Sequence, residues 1–280
     1  MKQWLFLDKI RKRTGKVQNP DFFIIGAQKS GTSTLHSLLD RHSELSGSRK
    51  KETHFFDRDI HFNMTVDAYR RNFRGPKRLK YFESTPEYLY HPDVPDLIKR
   101  HYPDSKFIVI LRDPVARAYS AWNHYRHLFG DKEIEHVRQV NRRPGNLLYS
   151  LFFENRDVFP SFMECMQLEV EHLKLDGVFE PALLRRGLYY DQLQRWENYF
   201  RREQFLIIGF SDLIEKTDVV LQHTGSFLGC RAQAPIIENI RAHNSRSYQA
   251  KMTHKEFELA SSFFRHSNSL LFNTYGNINW

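Results

Sequence analysis

Cysteine is scarce: Cys165 and Cys230 are the only two in 280 residues. Two cysteines cannot build the multi-bridge framework of small secreted domains, and neither has the neighbours of a zinc-binding Cys/His spacing. They read as packing residues in a reducing compartment, although one bridge is within their reach. Long apolar runs are missing as well. No stretch approaches the ~18 apolar residues of a membrane span. The apolar opening Trp4 to Leu7 runs into Arg11-Lys12-Arg13, a poor secretory signal. Internal repeats, low-complexity tracts and linkers are absent, and so is the Gly-Lys-Ser/Thr ending of a Walker A loop.

What is present is a core and a charge imbalance. Hydrophobic residues make up 40% of the chain and aromatics 14%, ample for a packed interior. A formal net charge of +9 implies anionic partners, among which composition does not choose: nucleic acid, an acidic membrane surface, a polyanionic sugar or a phosphorylated small molecule. Residues 1–21 read as a basic arm ending near Asn19-Pro20, and 22–280 as a single domain.

The chain is organised around Phe22-Phe23-Ile24-Ile25-Gly26-Ala27-Gln28-Lys29-Ser30-Gly31-Thr32-Ser33. Four large apolar residues predict a short buried strand. A loop of small and polar residues follows, then a helix over 32–39 with Leu35, Leu38 and Leu39 at core-facing spacing. Strand, small-residue loop and helix turn backbone N–H groups and a helix N-terminus toward a phosphate. Lys29 precedes the second loop glycine, so this is a poor nucleoside-triphosphatase loop. A tight turn with a solvated lysine would give the same pattern.

Further along, His42 to Gly47 reads as a turn. Arg49-Lys50-Lys51-Glu52-Thr53-His54-Phe55-Phe56-Asp57 dives from a basic surface into the core. In an extended segment Glu52 and His54 point to the same side, a plausible acid–base pair. Alternatively Glu52 only pairs with Lys51 or Arg49, and His54 is a core histidine. Helices are expected over 67–74, 94–102, 160–175, 187–200, 218–228 and 253–266, and strands over 80–83, 106–111 and 204–210. Residues 130–160 lack periodicity and read as a functional loop. The run Lys106 to Leu111 delivers Arg112-Asp113-Pro114 at its C-terminal end, where open parallel sheets bind ligands. Arg112 could equally clamp Asp113 or Glu83. The alternation predicts an α/β fold: a P-loop-like three-layer sandwich, with a central, mainly parallel sheet flanked by helices.

Three stretches combine. Gly26 to Ser33 resembles the 5′-phosphosulfate loop of sulfotransferases, and Arg112-Asp113-Pro114-Val115-Ala116-Arg117-Ala118-Tyr119-Ser120 resembles their 3′-phosphate motif. Lys51 to Asp57 looks like the acidic segment of the heparan-sulfate/N-deacetylase-type branch, whose glutamate is the general base. The resemblance implies an enzyme using 3′-phosphoadenosine 5′-phosphosulfate as donor, with no metal and no nucleic-acid partner. Lys29, Ser30, Gly31, Thr32 and Ser33 would hold the 5′-phosphate, with Lys29 neutralising the leaving oxygen. Arg112 and Ser120 would bind the 3′-phosphate. Glu52 would be the base, with His54 positioning the acceptor and Ser84 and Thr85 beside it. The acceptor would be a carbohydrate or small natural product.

Two stretches depart from that pattern. Ser84 stands where animal members of the branch carry a lysine, which leaves their acceptor chemistry open here. Asn244 to Gln249 resembles the late donor loop but keeps only Arg246 and Tyr248 of its pattern; the resemblance implies that these two, with Ser245 and Ser247, contact the donor. The cysteine-bridged hairpin of the Golgi enzymes is missing, so a cytoplasmic, bacterial-type member is expected. A P-loop kinase is the competing class, and Asp113 would be its magnesium-binding acid. Nucleic-acid binding would rest on charge alone.

Overall fold

A computed structural model describes residues 15–58, 64–130, 147–154, 156–173, 181–231 and 251–280. The N-terminal arm before residue 15 and the stretch holding Ser245, Arg246, Ser247 and Tyr248 lie outside the described residues. The described chain groups into two compact units. The first holds residues up to Arg112, those from Gln192, and Ile278–Trp280; the second holds 113–191 and the residues up to Asn277.

The first unit carries a five-stranded parallel sheet in the order β2-β3-β1-β4-β5. Its strands are β1 (Phe22–Gly26), β2 (Leu45–Gly47), β3 (Lys80–Ser84), β4 (Lys106–Leu111) and β5 (Phe205–Gly209). Alternate residues of β1 serve opposite faces. Phe22 and Ile24 join Leu35, Leu39, Phe82, Ile108, Ile110 and Leu213 in one cluster. Phe23 turns the other way, onto Phe56, Tyr102 and Phe107, and Phe107 meets Trp196 and Phe200. Two apolar faces need two helical covers, which is why the strands read as continuous hydrophobic runs. Each fully buried aromatic here contributes about 1.5–3 kcal/mol.

The sheet corrects one expectation. His42 to Gly47 is not merely a turn: Leu45, Ser46 and Gly47 pair in parallel with Lys80, Tyr81 and Phe82. Three residues ending in Ser-Gly carry no strand pattern, and only the partner strand makes this edge. Elsewhere α1 (Thr32–Leu39) and the strand over 106–111 match their sequence bounds, while the helix expected over 253–266 extends over His254–Tyr275. Order β3-β1-β4 with β2 and β5 outside makes β1 the place where the winding changes side, so the loop after it faces the ligand crevice of such sheets.

The second unit is helical: Pro114–Gly130, Leu147–Phe153, Phe162–Glu171 and His254–Tyr275 enclose a core that includes Trp122, Phe152, Phe162, Leu183 and Phe264. The helix Leu147–Phe153 falls inside the stretch read as a loop; residues 131–146 lie outside the described ones. Glu169 anchors this unit by accepting the backbone N–H groups of Leu183, Leu184 and Arg185 at 2.7–2.8 Å. Burial pushes its carboxyl up, against those three bonds and the charge of Arg117.

Candidate active site

The loop after β1 is held from both ends. Ala27 N–H donates to Ile110 O at 2.8 Å, and Ser30 N–H returns to Ala27 O at 3.2 Å. Gly31 follows at φ 87°, a left-handed value that a Cβ would strain, and its Cβ would also come 3.1 Å from Leu213. α1 starts at once after it, and no side chain caps its first N–H groups. The Ser30 hydroxyl is fully buried and has no partner. Orphaned donors at a helix N-terminus, beside an unsatisfied hydroxyl, suit the oxygens of a phosphate. Arg112, at the end of β4, donates from Nη1 to the Lys29 carbonyl at 3.1 Å, and its guanidinium stacks 4.8 Å from the Phe210 ring. Arg112 is thereby fixed beside the loop. Asp113 caps the following helix, accepting Ala116 N–H at 2.7 Å. Ser120 lies within that helix, buried, in the second unit.

The acidic segment is built around Glu83. This fully buried carboxyl accepts from four hydroxyls: Thr53, Thr85 at 2.6 Å, Tyr88 at 2.8 Å, and Tyr69. Burial pushes its pKa up while the four hydroxyls oppose that. Thr53 therefore points inward, and Glu52 N–H donates to Ser84 O at 3.0 Å. Glu52 and His54 flank Thr53 at φ 58° and 56°. The extended backbone expected from the sequence is absent; two left-handed kinks replace it, and they still bring the side chains together. One polar atom each from Glu52, His54 and Glu87 lie within 4.8 Å of one another.

Glu52 is half-exposed and paired with Lys51 Nζ, so the pairing considered from sequence is real and coexists with the cluster. His54 Nδ1 lies 3.0 Å from Asp57 Oδ2. Burial works against charging this imidazole, but the hydrogen bond to Asp57 and the charges of Glu87 and Asp57 outweigh it and raise its pKa. Burial likewise opposes the Asp57 carboxylate, and His54 and Arg58 pull its pKa below the ordinary value.

Ser84 and Thr85 are buried: Ser84 Oγ lies 2.7 Å from His36 Nδ1, and Thr85 supports Glu83. Asp57, Glu87 and Gln28 were not singled out from sequence. Only Asp57, at i+3 from His54, offered a local signal.

The described residues with left-handed backbone that are not glycine are Lys29, Glu52 and His54. Each such residue costs on the order of 1–3 kcal/mol, and such strain gathers at active sites. Glu52→Gly should therefore be at least as stable as Glu52→Ala, whereas glycine ordinarily costs about 0.5–1 kcal/mol relative to alanine. Paired chemical denaturation curves would decide; a glycine variant weaker by that margin would remove the strain.

A doubly covered parallel sheet with a helix N-terminus at its switch point, and an acid–histidine cluster beside it, defines the class of α/β proteins that bind ligands beyond the carboxyl ends of their strands. Comparison makes the class specific. The Sulfotransferase domain model matches residues 19–274, and the chain belongs to that family. It is 29% identical over 213 residues to heparan sulfate glucosamine 3-O-sulfotransferase 5 of Homo sapiens, covering 75% of this chain and 54% of that protein. To the human bifunctional heparan sulfate N-deacetylase/N-sulfotransferase 3 it is 28% identical over 218 residues, 75% of this chain and 22% of that one. The chain thus spans about half the length, or less, of these curated relatives. A sulfotransferase from Alicyclobacillus acidocaldarius superimposes with TM-score 0.68 at 28% identity, over 92% of this chain and 96% of that chain.

Proposed function

We propose that the chain transfers the sulfuryl group of 3′-phosphoadenosine 5′-phosphosulfate, in line, to a hydroxyl or to an amino or guanidino nitrogen of a carbohydrate or small natural-product acceptor. The observation that carries this reading is the convergence of unusual backbone on Lys29, Glu52 and His54, in a member of the sulfotransferase family. A kinase is disfavoured by that family and by Asp113, whose carboxylate caps a helix.

When bound, the donor supplies an activated sulfuryl group on its 5′-phosphate. The N-terminus of α1, Ser30, Thr32 and Ser33 would cradle that phosphate, for which the unpartnered Ser30 hydroxyl is suited. Lys29 would neutralise the phosphate oxygen as its bond to sulfur breaks. Glu52 would take the acceptor's proton as the new bond to sulfur forms. His54, oriented by Asp57, would position the acceptor. Its raised pKa favours the charged form. Ser84 and Thr85, both buried, would support these residues from behind. The motif from Arg112 to Ser120 would bind the 3′-phosphate, arginine as a charged fork and serine as a neutral donor.

Thermal shift tests the donor class directly: the bisphosphate product should stabilise the chain more than ATP with magnesium or an oligonucleotide. Arg112→Ala and Ser120→Ala should each weaken binding of the bisphosphate, and lose less with an analogue lacking the 3′-phosphate. Equal losses for both ligands would make the two residues structural. A labelled-donor screen over hydroxylated and aminated compounds then identifies the acceptor.

A further inference from the structure

We infer that Glu87 is a positioning residue of this site, coupling the loop that carries Lys29 to the segment that carries Glu52 and His54. The inference rests on the proposed transfer for its functional meaning and on geometry for its content. Gln28, next to Lys29, donates from Nε2 to Glu87 Oε1 at 3.3 Å. The same carboxylate lies within 4.8 Å of a polar atom of both Glu52 and His54. A single side chain thus accepts a hydrogen bond from the loop after β1 and lies beside the cluster after β2.

Its turn is pinned on several sides, so the backbone that carries the carboxylate has a fixed place. Leu89 N–H donates to Ile25 O at 2.9 Å, and Tyr88 reaches Glu83. Arg195 Nη1 donates to Tyr90 O at 2.8 Å, and Trp196 Nε1 to Leu89 O at 3.3 Å. Gly26 allows this approach, since a Cβ there would come 2.7 Å from the Leu89 Cβ. The charged groups acting on His54 are Asp57, Glu87 and Arg58. Glu52, paired with Lys51, lies in the same cluster, and His91 acts on Asp57. Asp57 and Glu87 together favour the imidazolium, so Glu87 acts through its charge on how readily His54 gives up its proton.

Glu87→Gln keeps the shape and an acceptor for Gln28 while removing the charge. Proton NMR titration of the histidine rings in the full chain reads the effect, with the His54 resonance assigned by its loss in His54→Gln. The His54 midpoint should fall in Glu87→Gln, and turnover should drop through kcat rather than through the donor KM. An unmoved midpoint in a folded Glu87→Gln overturns the coupling. Unchanged turnover with a moved midpoint overturns the positioning role. If Glu87→Gln does not fold, Gln28→Ala replaces it: releasing Glu87 from the loop should move the same midpoint, and no movement overturns the inference. The midpoint is read in the resting protein, so an inactive wild-type chain would sink the sulfuryl-transfer reading and leave the coupling standing.

Discussion

Lys29→Ala should lower turnover by on the order of 10²-fold or more while binding of the bisphosphate product suffers less. The difference between the two effects carries the meaning. Charge builds on the phosphate oxygen only as its bond to sulfur breaks, so a cation placed there acts mostly in the transition state. Alanine is the right replacement because it keeps a Cβ at a position with φ 66°, leaving the backbone preference largely as it was. The loop's other holds, Ala27 N–H on Ile110 O and Arg112 on the Lys29 carbonyl, do not involve the lysine side chain. Single-turnover kinetics with product titration would measure both quantities. Near-normal turnover would end the assignment of Lys29 to the leaving group.

Glu52→Gln should retain donor binding and lose most of its turnover, and His54→Ala should hurt less. Glutamine preserves the shape of the side chain but cannot take up the acceptor's proton. The His54–Asp57 hydrogen bond at 3.0 Å gives the opposite assignment its one structural argument, because an oriented imidazole is a familiar base. The direction of the His54 shift gives that alternative a pH signature. With its pKa raised, the imidazole is neutral only at pH values above the ordinary histidine midpoint, so a histidine base would make turnover rise through that higher midpoint. Normal turnover in Glu52→Gln with a dead His54→Ala would make the histidine the base.

Much of the fold was legible because it is written in local pattern. The strand Lys106–Leu111 is a continuous apolar run, and α1 has leucines at helical spacing between Gly31 and Asp40. Tertiary pairing can override weak local preference, and that accounts for Leu45–Gly47, which becomes a strand only because Lys80 to Phe82 lie beside it. The site was partly legible. Lys29, Glu52, His54 and Arg112 stand in motifs, and a motif needs only spacing to be seen. Gln28 and Glu87 do not: they are 59 residues apart, and nothing near either one announces the contact.

The sequence by itself determined the parallel sheet, the strand-loop-helix turn after its first strand, and the family. The tertiary structure alone decided how those residues meet. Glu52 and His54 converge through left-handed backbone, held in place because Thr53 is drawn inward to Glu83. Ser84, read beside the acceptor, packs on His36 because successive side chains of a strand alternate faces and Glu83 takes the other one. Local preference opposes those kinks by on the order of a kcal/mol each. A buried carboxyl, satisfied by the hydroxyls of Thr53, Tyr69, Thr85 and Tyr88, supplies a fixed point against which they persist.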